Sequence, residues 1–285
     1  MDEAVLTNEA VLTKLPTVEI KASAGWRAVS VRELWSRREL LLFLTWRNVL
    51  IRYKQAVLGI SWALLQPLLT MVVFGAVFGG MLKVKTSVPY PVFCFAGVVP
   101  WGLFSNAVSG AGTSMVANSM LLTKVYFPRL IVPLSAVLSA VVDFMLALIV
   151  LLVLAFFYGV YPSVNWLWLI PLTVLVLIAS LAVSLWLAAL NVLYRDVQYM
   201  IPFILQLGLF ISPVAYSANA VHQGWQRIVY GLNPMAGVIQ GYRWAVAGGP
   251  APGPWVAVST AATVVLLVSG IFYFRRMERV FADVV

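Results

Sequence analysis

Cysteine and histidine are almost missing from this chain, with Cys94 and His222 as the sole examples. One cysteine leaves no internal disulfide and no CxxC metal or redox site. One histidine argues against a multi-histidine metal centre. Charge is the next scarcity: 10% of the 285 residues are charged and 62% are hydrophobic, where soluble domains carry about 25% charged residues. That balance makes the chain a membrane protein before any motif is read. A spanning helix needs about 20 apolar residues to cross roughly 30 Å of hydrocarbon, so the length is taken up by spans and leaves no sizeable soluble domain. The GxxxxGK[ST] phosphate loop is also missing, so the chain is not expected to bind ATP in that manner. The opening MDEAVLTNEAVLTKLPTVEIK has early acids and no long apolar core. It is read as a mobile cytoplasmic tail over residues 1–25, not as a cleaved signal peptide.

What is present is long apolar runs. Hydropathy predicts an all-α membrane protein with one transmembrane domain over residues 30–285 and six spans, at about 56–82, 90–116, 131–158, 166–190, 199–216 and 254–274. An even number puts both termini on one side. Most of the 19 Lys and Arg fall in the N-terminal segment, in the second loop (Lys124, Arg129), in the fourth loop (Arg195) and in the tail (Arg275, Arg276, Arg279). Lys83, Lys85, Arg227 and Arg243 fall on the other side. The positive-inside rule then predicts cytoplasmic termini. It also accounts for the net charge of +9 without nucleic acid as a partner.

Three segments outside the spans carry local signals. Ser30-Val31-Arg32-Glu33 fits a capping box and predicts a helix over 30–52. Leu34, Trp35, Leu41, Leu42, Thr45, Trp46 and Val49 fall near one face and Arg37, Arg38, Glu39 and Arg47 mostly elsewhere, the pattern of a helix lying in the membrane interface. It is either a plain anchor or a surface for a partner or an anionic lipid head. The loop over 118–129, NSMLLTKVYFPR, predicts a short helix capped by Asn118 and ended by Pro128. Its apolar residues suit docking onto a partner, or packing back under the bundle. The stretch 217–253 is long for a structureless loop. Asn233-Pro234 is a helix start, Met235, Val238, Ile239, Tyr242 and Val246 share a face, and Gly248-Gly249-Pro250 is a stop. With a similar piece at Val221–Tyr230, this predicts two short helices within 220–247, re-entrant or lying on the outer surface.

Chemistry is thin. Asp143 is the one clear ionisable residue within a span, the default place to look for function. A structural hydrogen bond to a neighbouring span or backbone suits it better than ion coupling, which usually involves several buried acids. Asp143, Asp196 and His222 fall at different depths, so no catalytic residues are assigned. The second span mixes Trp101, Phe104, Ser105, Asn106 and Ser109 with Gly97, Gly102, Gly110 and Gly112. Small residues permit close helix contact. Aromatic and amide groups suit a sugar, though aromatics at helical spacing are more often packing.

Four stretches carry a family resemblance: RYKQAVLGISWALLQPL at the first span, LLTKVYFPR in the second loop, LNVLYRDV after the fourth span and LNPMAGVIQGYRWAV in the outer loop. In this order the chain, from about Leu34 onward, resembles the membrane subunits of ABC exporters for O-antigen, capsule and teichoic acid polysaccharides. The resemblance implies a homodimer in the bacterial inner membrane. It implies two copies of a separate ATPase subunit that binds ATP and Mg, with no cofactor in this chain, and a polyprenyl-diphosphate-linked glycan as cargo. The segment with Leu121, Leu122, Lys124, Tyr126, Phe127 and Arg129 matches the coupling helix that docks on the ATPase. The helix over 30–52 matches an interface helix at the cytoplasmic entrance, where Arg47, Arg52 and Lys54 are expected to meet the lipid diphosphate. The channel is expected to be lined by Trp62, Gln66, Trp101, Phe104, Asn106 and Phe210. The outer helices match a gate, with Trp225, Asn233, Tyr242 and Trp244. The rivals are an ABC exporter of another amphipathic substrate, an ion-coupled secondary transporter and a membrane enzyme.

Overall fold

The computed structural model describes residues 31–54, 61–83, 86, 88–125, 127–216, 230–248, 251–278 and 281. The expected tail over 1–25, the Ser30 cap, Tyr126, Trp225 and the helix expected at 221–230 lie outside them, apart from Tyr230. Among the described residues the chain is all-helical, with ten α-helices. They are α1 (Val31–Ser36), α2 (Arg38–Tyr53), α3 (Ser61–Phe74, continued by a π-helix at Gly75–Met81), α4 (Tyr90–Ala117) and α5 (Ser119–Lys124). After these come α6 (Ile131–Phe157), α7 (Leu169–Leu193, preceded by a 3-10 turn at Val164–Trp168), α8 (Val197–Ile211), α9 (Pro234–Ala247) and α10 (Trp255–Met277).

Five of these stretches are long and apolar enough to cross a membrane: Ser61–Met81, Tyr90–Ala117, Ile131–Phe157, Val164–Leu193 and Val256–Met277. The span expected at 199–216 is corrected to the shorter α8, of 15 residues. At 1.5 Å per residue it covers about 22 Å, less than the hydrocarbon thickness. Its helix stops at Ile211, and Ser212 is extended.

α4 is the hub. It packs on α6, α7, α9 and α3, and its buried residues run from Val92 to Met115. Small residues make this possible. A Cβ on Gly97 would lie 3.0 Å from the Val214 carbonyl oxygen and 3.1 Å from the Arg243 guanidinium. Gly102 and Gly110 face open space instead. A second apolar cluster closes the α5 end, where Leu44, Met115, Phe127, Ile131, Leu185, Phe274 and Phe281 meet.

The helix expected over 30–52 is two helices, broken at Arg37, whose backbone leaves the helical region (φ −105°, ψ 21°). The apolar face read from spacing is in part exposed and in part buried. Trp35, Leu42 and Trp46 are exposed, together with Phe43 and Ile51, while Leu44 and Val49 are buried. In a membrane, apolar residues serve on the lipid side as well as on the protein side, so periodicity alone does not say which face turns inward. The polar residues settle it, because α2 turns Arg47 and Asn48 toward α4 and α6.

Candidate functional site

The first cluster is a polar seam between α2 and its neighbours. Arg47, Asn48 and Arg52 recur at helical spacing on one side of α2. The Arg47 guanidinium donates to Asn118 Oδ1. Asn48 Nδ2 donates to Ser135 Oγ at 3.3 Å. Arg52 forms a hydrogen-bonded ion pair with Asp143. Ser135, Ser139 and Asp143 are four residues apart along α6 and all buried, so α2 climbs beside α6 and sets its last cation against the middle of that span. This gives Asp143 a structural partner. It also places the expected diphosphate cations: Arg47 and Arg52 are engaged within the chain, Arg52 with part of its side chain open, and Lys54 is exposed.

Asn118 joins three helices at this seam. It does not cap α5 with its side chain. Its Nδ2 donates back to Ser114 O at 2.7 Å, and its backbone N–H closes α4 through Ser114 O and Met115 O. Its carbonyl accepts the first bonds of α5, from Leu121 N and Leu122 N. The loop expected to dock on an ATPase then divides. Met120, Thr123, Lys124 and Val125 are exposed, Leu121 and Leu122 are half-buried, and Phe127 is buried. Arg129 donates to the main-chain oxygen of Glu278 and lies 6.0 Å from the Phe281 ring, so it ties the loop to the end of α10.

The second cluster is an open wall on α3 and α8. Trp62, Gln66, Leu69 and Val73 recur at helical spacing on α3 and are all exposed. With Thr70, Phe74 and Leu209 of α8 they line a groove. Tyr199, Phe203, Gln206 and Phe210 form a matching stripe on α8 and are also exposed. Phe210 reaches Phe74, with ring centroids 6.4 Å apart. Three of the expected channel residues, Trp62, Gln66 and Phe210, therefore sit on one open wall. Two others do not. Trp101 and Phe104 are buried with ring centroids 5.4 Å apart. Trp101 fills the space a side chain at Gly208 would take, its Cη2 lying 2.8 Å from the Cβ position. Trp101 thus packs α4 on α8. Asn106 is half-buried on the side of α4 that carries Gly102, Ser105, Ser109, Gly110 and Thr113, all half-buried. The Gln206 stripe was missed by the sequence reading, although its three aromatics and one amide at spacings of four, three and four were there to find.

The third cluster lies at the α9 end. The Asn233 side chain caps α9 by accepting from Met235 N at 2.9 Å, with Pro234 at the first turn. Gly248, at φ 71°, ends the helix. The face of Met235, Val238, Ile239, Tyr242 and Val246 is buried as expected, but so are Ala236, Gly237, Gly241, Arg243 and Ala245. α9 is thus enclosed nearly all round by α4, α7 and α10. The Tyr242 hydroxyl and Thr173 Oγ1 are 2.5 Å apart. The Trp244 ring meets Trp168 edge-on at 5.9 Å. Ser259 of α10 donates to Gly231 O and Asn233 O and accepts from Gly237 N. Arg243 was read from sequence only as an outer-side charge. It lies outside the five spans and is 7% exposed. Burial draws it down to about 10, which leaves it cationic at neutral pH.

Comparison with known proteins gives the chain's family and relatives. The family described as ABC-2 type transporter matches residues 39–246. An O-antigen export system permease protein of Myxococcus xanthus is 35% identical over 87% of this chain and 96% of its own length. One of Klebsiella pneumoniae is 28% identical over 86% and 95%. A polysialic acid transport protein of Escherichia coli is 24% identical over 81% and 91%.

Proposed function

The chain belongs to the ABC-2 type transporter family, and from that premise we propose that it is the membrane subunit of an ATP-driven exporter for a polyprenyl-diphosphate-linked polysaccharide. Two copies form the channel in the bacterial inner membrane, with both termini cytoplasmic. Two copies of a separate ATPase subunit hold ATP and Mg. The observation that carries this reading is the open wall of α3 and α8. A lone span with Trp62, Gln66 and Thr70 turned outward is ill-suited to lipid, where polar groups are costly. A facing copy converts that wall into a passage. Sugars have apolar ring faces and polar edges, so alternating aromatic and amide groups offer weak, repeated contacts along a sliding chain.

The remaining parts take roles around this passage. Met120, Leu121, Leu122, Lys124 and Val125 present the docking edge for the ATPase. Phe127 and Arg129 pass its movement to α10. Asn118 passes it through Arg47 to α2. Lys54 and the open edge of Arg52 present charge to the diphosphate, Lys as a point charge and Arg as a fork. α9 and its neighbours close the outer end.

The test is removal of the chain from the producing cell. Surface polysaccharide should disappear while lipid-linked glycan accumulates on the cytoplasmic face. Polysaccharide that still reaches the surface, or transport that follows an ion gradient without any ATPase, overturns the reading.

A further inference from the structure

We infer that Asp143 is a positioning residue for the cargo's diphosphate: it holds Arg52 by one nitrogen at the middle of α6 and leaves the rest of the guanidinium fork open to phosphate oxygens. This rests on the export reading above, which gives the open edge of Arg52 to the diphosphate. The geometry starts from depth. Asp143 is the thirteenth of the 27 residues of α6, about 18 Å from its start at 1.5 Å per residue. An ionised side chain there is costly unless it is paired or meets a polar space. Asp143 meets the first condition, because its side chain is 10% exposed and pairs with Arg52. Arg52 meets it in part. Its Nη1 donates to Asp143 Oδ2, while Asp143 Oδ1 is buried without a partner in the chain. The pair is therefore joined at one point and not by the two parallel bonds of a bidentate fork. Among the described residues the Arg52 fork has no second hydrogen bond, and its side chain is 35% exposed. The open edge of a cation at this depth calls for water or an anion, and the free donors of the fork match phosphate.

Holding α2 does not by itself require the carboxylate. The same helix is fastened by Arg47 to Asn118 and by Asn48 Nδ2 to Ser135 Oγ at 3.3 Å. An acid set into a span is a costly way to add a third fastening, since desolvation offsets much of what an ion pair contributes. What the carboxylate supplies is a fixed place for the cation. A long arginine without a partner carries its head toward the nearest water, and the fork would leave the middle of α6. The carboxylate also repels a phosphate. Charge alone therefore predicts that removing Asp143 tightens the hold on the diphosphate, and positioning predicts that it loosens it. The sign separates the two.

The test is retention of a lipid diphosphate. The purified chain in detergent is incubated with radiolabelled undecaprenyl diphosphate, and undecaprenol serves as the neutral comparison. The parent should retain the diphosphate in preference. Asp143→Ala should lower that retention about tenfold, although it removes a negative charge. Asp143→Asn keeps an oxygen for Arg52 and covers an alanine variant that does not fold. It should lower retention several-fold. Asn48→Ala cuts the neighbouring contact between α2 and α6 and should leave retention at the parental level. Retention at or above that level in folded Asp143→Asn overturns the inference, because the carboxylate then does no more than repel the anion. An equal fall in Asn48→Ala overturns it as well, because any loosening of α2 is then enough. A parent that retains the two lipids alike fails the lipid-diphosphate cargo of the export reading itself, and the positioning role with it, before any variant is compared. The two failures are thus distinguishable.

Discussion

The first two spans are neighbours in sequence and opposites in burial. In the best apolar window of α4 78% of residues are buried, against 6% in that of α3 with its π-helical extension. Both are apolar enough to cross a membrane, so hydrophobicity does not separate them. What separates them is the residues that permit contact. α4 carries Gly97 where the Val214 backbone closes in and Gly112 against Ile201. α3 carries Trp62, Gln66, Leu69 and Val73 on a side that is exposed among the described residues. The lesson is that the two spans answer to different requirements. α4 is fitted to its own chain, and changes there should register as lost stability. α3 is fitted to something outside, and changes there should register as lost transport.

The largest effect should come from filling the fitted side. Gly97→Val places a branched side chain against the Val214 main chain and the Arg243 fork. Overpacking costs about 1–3 kcal/mol. The upper end is expected here, because the obstructing atom is a backbone carbonyl and not a flexible tip. Unfolding in detergent, followed by tryptophan fluorescence, should show the loss. A variant as stable as the parent would break the contrast between the two spans. A smaller effect is expected at the seam on α6, a span of intermediate burial (33%). Asp143→Asn keeps an acceptor for Arg52 but removes the charge. A hydrogen bond to a charged group contributes about 1.5–3 kcal/mol, and partial exposure of Arg52 argues for the lower figure. Arg52→Gln should cost a similar amount, and the double variant less than the sum. Strict additivity would mean that the pair does not hold α2.

The spans were legible because length and apolarity are carried residue by residue. Tyr90–Ala117 and Ile131–Phe157 fall within a residue or so of their expected bounds. The start of α9 was equally legible, since Asn233-Pro234 is a local signal with a local cause. What escaped depends on partners distant in sequence. Nothing near Arg243 announces that it donates to the carbonyls of Val214 and Tyr216, whereas the early end of α8 had a local signal in Pro213, because the residue before a proline is turned away from the helical region and Ser212 is extended. The inward face of α2 was missed for a different reason. Trp35, Leu42 and Trp46 are apolar yet exposed, and the side turned to α4 and α6 carries Arg47, Asn48 and Arg52, the residues a soluble helix would turn outward. Trp101 and Phe104 were chosen for composition, and the burial of Trp101 against α8 follows from Gly208 on another helix.

The smallest effect on stability should come from the open wall, where it is most informative. Gln66→Leu on α3 and Gln206→Leu on α8 change exposed side chains, and such substitutions usually stay within about 0.5 kcal/mol. Unfolding should therefore match the parent. Export should not. If the wall meets a glycan, each amide replaced by an alkyl group removes one polar contact along the path while keeping bulk and helix propensity. The pair should slow the appearance of surface polysaccharide several-fold at unchanged membrane content. Trp62→Ala, which removes an apolar platform, should do the same by the complementary route. If all three variants are stable and export at the parental rate, α3 is bare for some other reason, such as plain lipid contact. If they are unstable, the wall is a packing surface between copies, and the cargo path lies instead along the half-buried side of α4 that carries Ser105, Asn106 and Ser109.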